Sequence, residues 1–442
     1  MVTTSSSLQI KPITHPLDAT VRVPGSKSLT NRALLIASLT SGTTCLTNAL
    51  FSDDSGYFAK ALQTLGFEIK LDEPNLEMTV TGFGGKIPAR KAELYIGNAG
   101  TAARFLSAFL TLGNGAYILD GDSRMRERPI GHLVDALAQL GARLETINNC
   151  PPVKITASGL KGGKAQIAGD ISSQFLSALL MIAPYARSPV EIEVTTELNS
   201  KPYVDMTIAV MKDFDVEVRR NDYQHFSIPL ATYHSPGTNL QRHRGAPQSS
   251  ISTYAIESDA SAASYFFAAP AICGGTVRVE NISRQSKQGD MVFLNILEQM
   301  GSTVREGANH IEVRGEEPLK GVDVDMRDIP DTAQTLAAIA PFAISPTLIR
   351  GIASARVKET DRIYATCTEL ERLGVCVHEQ EDGMTIYPCE NFNPATIRTY
   401  NDHRMAMAFS LIGLRVPGVR IENPACVSKT FPNFFNVLET LR

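Results

Sequence analysis

The sequence predicts an α/β protein made of six similar units, arranged as two lobes of three. Three observations lead to this prediction. A short, almost wholly apolar helix recurs along the chain, an amphipathic helix follows each copy, and the recurrence is nearly constant in length. The chain of 442 residues is also longer than one hydrophobic core usually serves.

The first recurring element is a helix rich in Ala, Ser and Leu that is apolar on nearly every side. Helices of this kind are buried among other elements. Six such stretches begin near Ser28, Thr101, Ser173, Ala260, Thr332 and Arg404. Their starts are 73, 72, 87, 72 and 72 residues apart, and four spacings within one residue of each other make a chance likeness of composition a poor explanation.

The second recurring element is an amphipathic helix with a common ending. In four copies a glycine follows the helix, which is the usual residue at the left-handed position beyond a helix end. These glycines are Gly66, Gly141, Gly301 and Gly374, and Asp215 takes the matching position in the third copy. The alternation of apolar and polar residues after each ending predicts a strand. Each unit is therefore expected to run strand, buried helix, strand, amphipathic helix, strand.

The one long spacing contains a polar stretch at 231–250 that is rich in Pro, Gly and His, and such a composition is typical of a connection. We place the lobe boundary within it. The first lobe is expected to comprise 25–240 with repeats 1–3, and the second lobe 1–24 plus 241–442 with repeats 4–6.

Composition narrows the class of protein. Hydrophobic residues make up 43% and charged residues 20%, and a net charge of −4 argues against general nucleic-acid binding. The seven cysteines are scattered and include no CxxC pair, which favours reduced thiols over disulfides or a zinc site. Since no apolar stretch is long enough to span a membrane and no secretory signal is present, we expect a cytoplasmic protein. We also expect no metal, because the chain has no HExxH motif and its histidines are scattered.

The starts of the buried helices are the expected site of chemistry, because the first N–H groups of a helix carry partial positive charge and bind anions. Six such starts in one cleft would form an anion site. At the first start Lys27 and Arg32 add cations, and either Ser26 or Ser28 can cap the helix. Gly100 gives a close backbone approach at the second start, and Ser172–Gln174 offer hydroxyl and amide groups at the third.

Further charged residues lie near the later helix starts. Asp331 precedes the fifth buried helix, where it can cap the helix or stand as a carboxylate among cations. Lys358 and Arg362 are four residues apart, which predicts one helix face where like charges repel unless a ligand binds. The remaining cations of this group are Arg128, Arg404 and Lys429. Each alone can be a solvated surface charge, but together they suit carboxylate and phosphate groups.

Nine segments, in order from Pro24 to Phe435, resemble the 5-enolpyruvylshikimate-3-phosphate synthases of the enolpyruvyl transferase family. They are PGSKSLTNRALL, NAGTAARFL, DSRMRERPIGHLVDAL, ISSQFLSALLM, SKPYVDMT, DIPDTAQTLA, RVKETDRI, YNDHRMAMAFSL and SKTFPNFF. The resemblance implies a two-lobed, inside-out α/β barrel fold with six βαβαββ repeats, three per lobe. It also implies that the first strand of the chain belongs to the second lobe.

The resemblance implies a transferase of chorismate and aromatic amino-acid biosynthesis, in the shikimate pathway. Members of the family transfer the enolpyruvyl group of phosphoenolpyruvate to the 5-hydroxyl of shikimate 3-phosphate and release phosphate. We therefore expect these two small molecules as partners, no cofactor, and a monomer.

The resemblance also assigns contacts by matching positions. Those implied for shikimate 3-phosphate are Lys27, Ser28, Arg32, Ser172, Ser173, Gln174, Ser200, Tyr203, Asp331 and Lys358. Those implied for phosphoenolpyruvate are Lys27, Gly100, Arg128, Gln174, Arg362, Arg404 and Lys429. Ser354 stands where the family commonly has Asn. Since the reaction moves protons, Asp331 is the candidate base, with Glu359 and Lys27 as the other catalytic groups.

Two alternatives remain open. The first is the related enolpyruvyl transferase that acts on UDP-N-acetylglucosamine, many members of which carry a reactive cysteine in the loop that corresponds to Gly121–Pro129. This loop contains no cysteine. The second is a non-catalytic anion-binding protein, which would gain nothing from carboxylates such as Asp331 and Glu359 among its cations.

Overall fold

The apolar stretches form the buried helices that the sequence predicts. The computed structural model describes residues 7–236, 251–316 and 318–442. The buried helices are α1 (Lys27–Leu39), α3 (Gly100–Leu110), α5 (Ser173–Ile182), α7 (Ala260–Cys273), α9 (Ala333–Ile339) and α11 (His403–Gly413). In α3 and α11 every residue is buried, which the small and apolar side chains on all sides of these helices permit.

The amphipathic helices follow at the expected places. They are α2 (Asp53–Thr64), α4 (Gly131–Gln139), α6 (Lys201–Asp213), α8 (Phe293–Met300), α10 (Arg362–Arg372) and α12 (Phe434–Glu439). The four glycines predicted to follow these helices have positive φ angles, as the left-handed position requires. Asp215 replaces glycine there with a φ of 66°, so the prediction for the third copy is confirmed as well.

The strands are short and lie between these helices. In chain order they are β1 (Ser7–Gln9), β2 (Leu17–Arg22), β3 (Thr43–Thr47), β4 (Glu68–Asp72), β5 (Glu77–Thr81), β6 (Lys91–Tyr95), β7 (Asn114–Asp120), β8 (Arg143–Ile147), β9 (Cys150–Ser158), β10 (Gly163–Ile167), β11 (Val190–Val194), β12 (Arg219–Asn221), β13 (His225–Ile228), β14 (Ser252–Ala255), β15 (Gly275–Glu280), β16 (Thr303–Glu306), β17 (His310–Gly315), β18 (Asp323–Asp325), β19 (Thr347–Arg350), β20 (Val377–Gln380), β21 (Gly383–Ile386), β22 (Thr396–Ile397) and β23 (Arg420–Glu422).

One repeat shows the architecture of the five four-stranded sheets among the described residues. The sheet β6-β7-β9-β8 pairs β6 with β7 in parallel and the other neighbours antiparallel, with α3 and α4 as the connections. Its chain order is therefore βαβαββ, as the resemblance implied. The other four-stranded sheets are β14-β3-β5-β4, β10-β11-β13-β12, β2-β15-β17-β16 and β18-β19-β21-β20, and β1-β23-β22 is a three-stranded sheet.

The described residues divide into two compact units. The first unit is Gly25–Glu257, and the second unit joins the residues up to Pro24 with Ser258–Arg442. Each unit has its own hydrophobic core, formed by buried helices against one face of its three sheets. The other face is open to solvent, as the alternating burial along β2 and β11 shows. Helices inside and sheets outside give each unit the inside-out arrangement expected.

The observed boundary differs from the position predicted from composition. Residue 240, where the sequence analysis divided the chain, lies outside the described residues. The structure assigns 251–257 to the first unit, because β14 pairs in parallel with β3, with Ser252 opposite Thr44. A polar connecting segment marked the approximate position of the boundary, but the strand that follows it is held by backbone hydrogen bonds to the preceding unit.

The two units exchange their first strands. β2 immediately precedes α1 of the first unit, yet it pairs in parallel with β15 of the second unit, with Leu17 opposite Gly275. In the same way β14 precedes α7 of the second unit but completes a sheet of the first. Each unit therefore takes one strand from a distant part of the chain.

Within the described ranges, no helix combines the length and apolarity needed to cross a bilayer.

Close packing between β17 and α7 leads to a first prediction. A Cβ atom at Gly315 would lie 1.7 Å from the carbonyl oxygen of Pro270, whereas one at Gly56, exposed on α2, would meet nothing within 4 Å. We expect Gly315→Ala to lower the free energy of unfolding by about 2–3 kcal/mol through overpacking. Gly56→Ala should raise it by about 0.5–1 kcal/mol, since alanine favours the helix. Urea unfolding measures both, and equal effects would contradict the packing described.

Candidate active site

The start of α1 is built by a serine cap. Ser26 accepts a hydrogen bond from the backbone N–H of Leu29 at 3.4 Å, which decides between the two serines that the sequence left open. The carbonyl of Ser28 instead accepts from Arg32 at 2.9 Å. Lys27, the first residue of the helix, has its Nζ 3.7 Å from a carboxylate oxygen of Asp54. The predicted residues of this start therefore lie together in the first two turns of the helix.

Arg32 is the most deeply buried cation of this group, at 2% exposure. Its guanidinium donates to the hydroxyls of Thr207 and Ser177 and to the carbonyls of Ser28 and Tyr203, at 2.8–3.4 Å. All of these partners are neutral, and burial lowers the pKa of Arg32 to about 10. A buried cation whose described partners are neutral attracts an anion, because an opposite charge offsets the cost of desolvation.

Gly100 and Arg128 lie against each other. A Cβ atom at Gly100 would be 2.4 Å from Nη2 of Arg128, so the glycine is what allows this approach at the start of α3. Arg128 is 5% exposed and donates to the side-chain and backbone oxygens of Asn98. Arg104, which the sequence analysis did not select, donates to the carbonyls of Gly100 and Pro129. It thereby ties the start of α3 to the segment that carries Arg128.

The remaining predicted residues of the first unit are at the starts of α5 and α6. Ser172 caps α5 by accepting from the N–H of Gln174 at 3.3 Å. Ser200 has a left-handed backbone, with φ 57°, immediately before α6. The carbonyl of Tyr203, in the first turn of α6, accepts from Arg32. This carbonyl therefore links the starts of α1 and α6.

In the second unit Asp331 contacts three cations. One carboxylate oxygen accepts from Lys358 at 2.6 Å and from Arg362 at 3.1 Å, and the other accepts from Arg404 at 2.6 Å. The helix that follows is capped by Thr332 without a side-chain hydrogen bond, so Asp331 does not cap α9. Of the two roles left open by the sequence, the structure shows a carboxylate among cations.

Arg362 is the centre of this cluster. It donates to Glu359 at 2.8 Å and to Asp402 at 2.7 Å, in addition to Asp331, and its side chain is 3% exposed. Burial alone would lower the pKa of Arg362, but the charges of Asp402, Glu359 and Asp331 raise it above its ordinary value. Glu359 also lies 3.9 Å from Nζ of Lys429. The six predicted residues of the second unit thus lie in one charged network.

The expectation of like-charge repulsion on a helix face was wrong. α10 begins at Arg362, with Asp361 as its cap, so Lys358 lies outside the helix. A spacing of four residues brings the two side chains together only in helical backbone. Here both instead donate to the same oxygen of Asp331. Burial lowers the pKa of Lys358, and the negative charge of Asp331 partly offsets this effect.

Two important carboxylates were missed by the sequence analysis. Asp402, 0% exposed, caps α11 by accepting from the N–H of Arg404, and it also binds Arg362. Its position two residues before Arg404 was the available signal, as expected of a helix cap. Asp290 accepts a hydrogen bond from Ser261 near the start of α7, and nothing in the local sequence of its loop indicates this role.

The start of α7 is closed by side chains of the chain itself. Asp259 accepts from the N–H of Ala262 at 2.8 Å, and the amide of Gln288 accepts from the N–H of Ala260 at 3.0 Å. This is the fourth buried helix, to which the sequence analysis assigned no substrate contact. Its first N–H groups are satisfied by oxygens of the protein.

Ser354 stands at the position where the family commonly has Asn. Its hydroxyl oxygen is buried and has no hydrogen-bond partner among the described residues.

The described residues also contain no group of three or more His, Cys, Asp or Glu side chains arranged to hold a metal ion.

Comparisons with known proteins identify the family. The family model described as EPSP synthase (3-phosphoshikimate 1-carboxyvinyltransferase) matches residues 11–438. The chain belongs to the EPSP synthase family. The resemblance seen in the nine segments is confirmed, and so is the class of enzyme it implied, a transferase. The individual substrate contacts remain predictions.

Relatives and solved structures agree with this assignment. The 3-phosphoshikimate 1-carboxyvinyltransferase of Trichormus variabilis is 50% identical over 431 residues, covering 97% of each chain. That of Sulfurovum sp. is 49% identical over 440 residues, covering 99% of each chain. The structure of the EPSP synthase of Acinetobacter baumannii superposes with a TM-score of 0.78 at 25% identity, covering 98% of this chain and 97% of the other. The two-lobed α/β fold of the family is therefore the fold of this chain.

The buried position of Asp290 leads to a second prediction. Burial, with a contribution from the charge of Asp331, raises the pKa of Asp290 from its ordinary value of 3.8 to about 6. The folded state then binds more protons than the unfolded state between these values, so stability falls as the pH rises through this window. We expect Asp290→Asn, which cannot ionise, to gain stability relative to the wild type by about 2 kcal/mol between pH 4 and pH 7.

Urea unfolding at a series of pH values measures this difference. Asp323→Asn is the matched control, since its side chain is 60% exposed in a surface ion pair with Arg350. A difference between Asp290→Asn and the wild type that stays constant from pH 4 to pH 7 would show that Asp290 remains ionised throughout.

Proposed function

We propose that the protein transfers the enolpyruvyl group of phosphoenolpyruvate to the 5-hydroxyl of shikimate 3-phosphate and releases phosphate. The observation that carries this proposal is the network around Asp331, in which carboxylates and cations alternate. Cations suit the phosphate and carboxylate groups of both substrates, and the carboxylates can move the protons that the reaction requires. Membership in the EPSP synthase family supports the proposal independently.

Shikimate 3-phosphate is proposed to bind mainly through the first unit. Arg32 is the main electrostatic contribution, because the partners that the structure gives it are neutral. The polar groups at the starts of α1, α5 and α6 add hydroxyl, amide and backbone N–H donors. The proposed contacts are Lys27, Ser28, Arg32, Ser172, Ser173, Gln174, Ser200 and Tyr203, together with Asp331 and Lys358 of the second unit.

Phosphoenolpyruvate is proposed to bind mainly through arginine side chains. The planar guanidinium matches a carboxylate or phosphate with two parallel hydrogen bonds. The close contact between Gly100 and Arg128 places a guanidinium next to the first N–H groups of α3, so both can contact one anion. The proposed contacts are Lys27, Gly100, Arg128, Gln174, Arg362, Arg404 and Lys429.

The reaction has an addition step and an elimination step, and each step requires two proton transfers. Asp331 accepts the proton of the 5-hydroxyl as this oxygen bonds to C2 of phosphoenolpyruvate, and the methylene carbon gains a proton from Glu359 or Lys27. The tetrahedral intermediate then returns a proton from the new methyl group to the group that donated it, and the C–O bond to phosphate breaks as the departing phosphate takes up the proton held by Asp331. The products are the enolpyruvyl ether and phosphate, so atoms and charges balance. Positioning and electrostatic stabilisation by the arginines lower the barrier of both steps.

The proposal includes a cytoplasmic monomer without a cofactor. None of the seven cysteines forms a disulfide, which suits a reducing compartment.

The third prediction tests the activity. Purified protein should release phosphate from phosphoenolpyruvate only when shikimate 3-phosphate is present, with no added metal or nucleotide. A colorimetric phosphate assay with each substrate omitted in turn measures this. Release that depends on UDP-N-acetylglucosamine instead, or that stops when a chelator is added, would overturn the proposed function.

The fourth prediction concerns the arginines. Arg128→Ala and Arg404→Ala should each lower kcat/KM for phosphoenolpyruvate by roughly tenfold to a hundredfold or more, since charge-assisted hydrogen bonds contribute about 1.5–3 kcal/mol each. Binding of shikimate 3-phosphate to the free protein, measured by calorimetry, should change much less. Arg362→Ala should also lower the stability of the fold, because it leaves Glu359 and Asp402 buried without this cation.

Arg350→Ala is the matched control for these variants. Arg350 belongs to the second unit and pairs with Asp323 on its surface, where both side chains are about half exposed. It should leave kcat/KM unchanged, since exposed ion pairs contribute little. If Arg128→Ala lost shikimate 3-phosphate binding and kept its use of phosphoenolpyruvate, the assignment of Arg128 would be wrong.

A further inference from the structure

Asp331 occupies the position in which the second substrate is proposed to bind. Arg362 and Arg404, which we assign to phosphoenolpyruvate, both donate to the carboxylate of Asp331, at 3.1 Å and 2.6 Å. The two donors reach different oxygens of this carboxylate, which is how two guanidinium groups hold one carboxylate ligand. Asp331 is therefore bound as a carboxylate substrate would be.

We propose that Asp331 is an internal ligand that occupies the carboxylate position of phosphoenolpyruvate until shikimate 3-phosphate binds. This inference rests on the proposed function, since it takes the assignment of the two arginines from it. It gives Asp331 a second role, in addition to that of the base, in determining when the second substrate can bind.

The carboxylates of Asp331 and of phosphoenolpyruvate compete for Arg404. The side chain of Asp331 is 16% exposed and that of Arg404 is 6% exposed, so the ion pair between them is shielded from solvent. Phosphoenolpyruvate must break this pair before its carboxylate can accept from Arg404, and the broken contact offsets much of the new one. A ligand that reaches a site only in a minor state binds with an affinity reduced by the population of that state.

Shikimate 3-phosphate is suited to release the arginines. Its ring hydroxyls are neutral donors, and a carboxylate that accepts from them no longer needs both guanidinium groups to offset its desolvation. Its binding does not require the same exchange, because its main proposed cation, Arg32, has neutral described partners. Shikimate 3-phosphate therefore meets Arg32, which no described carboxylate neutralises. Phosphoenolpyruvate meets Arg362 and Arg404, which Asp331 already neutralises.

Arg362 and Arg404 depend on Asp331 to different degrees. Arg362 also binds Glu359 and Asp402, so it remains strongly neutralised without Asp331. Arg404 donates in addition to the hydroxyl of Tyr265, at 3.4 Å, which is a neutral partner. Loss of the charge of Asp331 therefore leaves Arg362 paired with Glu359 and Asp402, and it removes the charge that accepts from Nη2 of Arg404.

The test measures binding of phosphoenolpyruvate alone. Asp331→Asn keeps the shape of the side chain and removes its charge. We expect it to bind phosphoenolpyruvate in the absence of shikimate 3-phosphate about tenfold or more tightly than the wild type does, although its turnover falls. Isothermal titration calorimetry measures both affinities. Asp323→Asn, which removes a surface carboxylate of the same unit, is the control and should match the wild type.

A second measurement covers the case in which Asp331→Asn folds poorly. In the wild type, saturating shikimate 3-phosphate should tighten phosphoenolpyruvate binding. Where Asp331→Asn does fold, the double variant Asp331→Asn with Arg404→Gln should lose the gain in affinity of the single variant. If Asp331→Asn, folded by circular dichroism, binds phosphoenolpyruvate no better than the wild type, or Asp323→Asn gains as much, the inference is wrong. If the single variant does not fold, an unchanged affinity of the wild type on addition of shikimate 3-phosphate overturns it.

These outcomes are separate from the test of the proposed function. Wild-type protein that releases phosphate with both substrates, together with an unchanged affinity in Asp331→Asn, would leave the function standing and remove the internal ligand. Wild-type protein that never releases phosphate would refute the proposed function itself.

Discussion

The second unit depends on the neutralisation of one buried guanidinium. Arg362 has its side chain 3% exposed, and burial of a cation in such a place costs free energy that its carboxylate partners offset. Its three carboxylates come from three different parts of the chain. Asp331 precedes α9, Glu359 precedes α10, and Asp402 caps α11. The arginine thereby fixes the starts of three helices relative to one another.

The first unit solves a similar problem with neutral groups. Arg32 is as deeply buried as Arg362, but hydroxyls and carbonyls surround it, and its guanidinium lies 5.3 Å from the ring centroid of Phe105. A ring face offers weak attraction to a cation, and dipoles offer hydrogen bonds, yet neither supplies a full negative charge. One repeated architecture therefore gives two electrostatic environments, according to whether carboxylates or the hydroxyls of Thr207 and Ser177 accept from the buried arginine.

The sequence predicts the repeat because its signals are local. Apolar residues on every side of α3 and α11 predict burial, and a glycine after α2 or α4 predicts where the helix ends. The family segments also identify the residues of both units that carry charge. Which charged residues form ion pairs is not a local property, since Asp331 and Arg404 are far apart in sequence. The sequence therefore does not predict these pairs.

The two errors of the sequence analysis have the same physical origin. The spacing of Lys358 and Arg362 indicates a shared helix face only if the backbone is helical, and here it is not. The polar segment before β14 suggests a boundary, but the unit to which a strand belongs is decided by its hydrogen-bonded neighbour, β3. Asp290 could not be predicted, because its importance comes from burial beside Ser261 and not from its neighbours in sequence.

The exchange of first strands has a consequence for synthesis of the chain on the ribosome. β2 emerges early, but its partner β15 is made only after the whole first unit has followed. Until then β2 is an extended segment with unpaired backbone groups, which is a template for wrong pairing with other chains. The first unit, by contrast, is the continuous stretch Gly25–Glu257, so its sheet can be completed as soon as β14 has been made. The first unit can therefore finish folding before the second, whose sheet closes only late in translation, and long-range closure of this kind is slow.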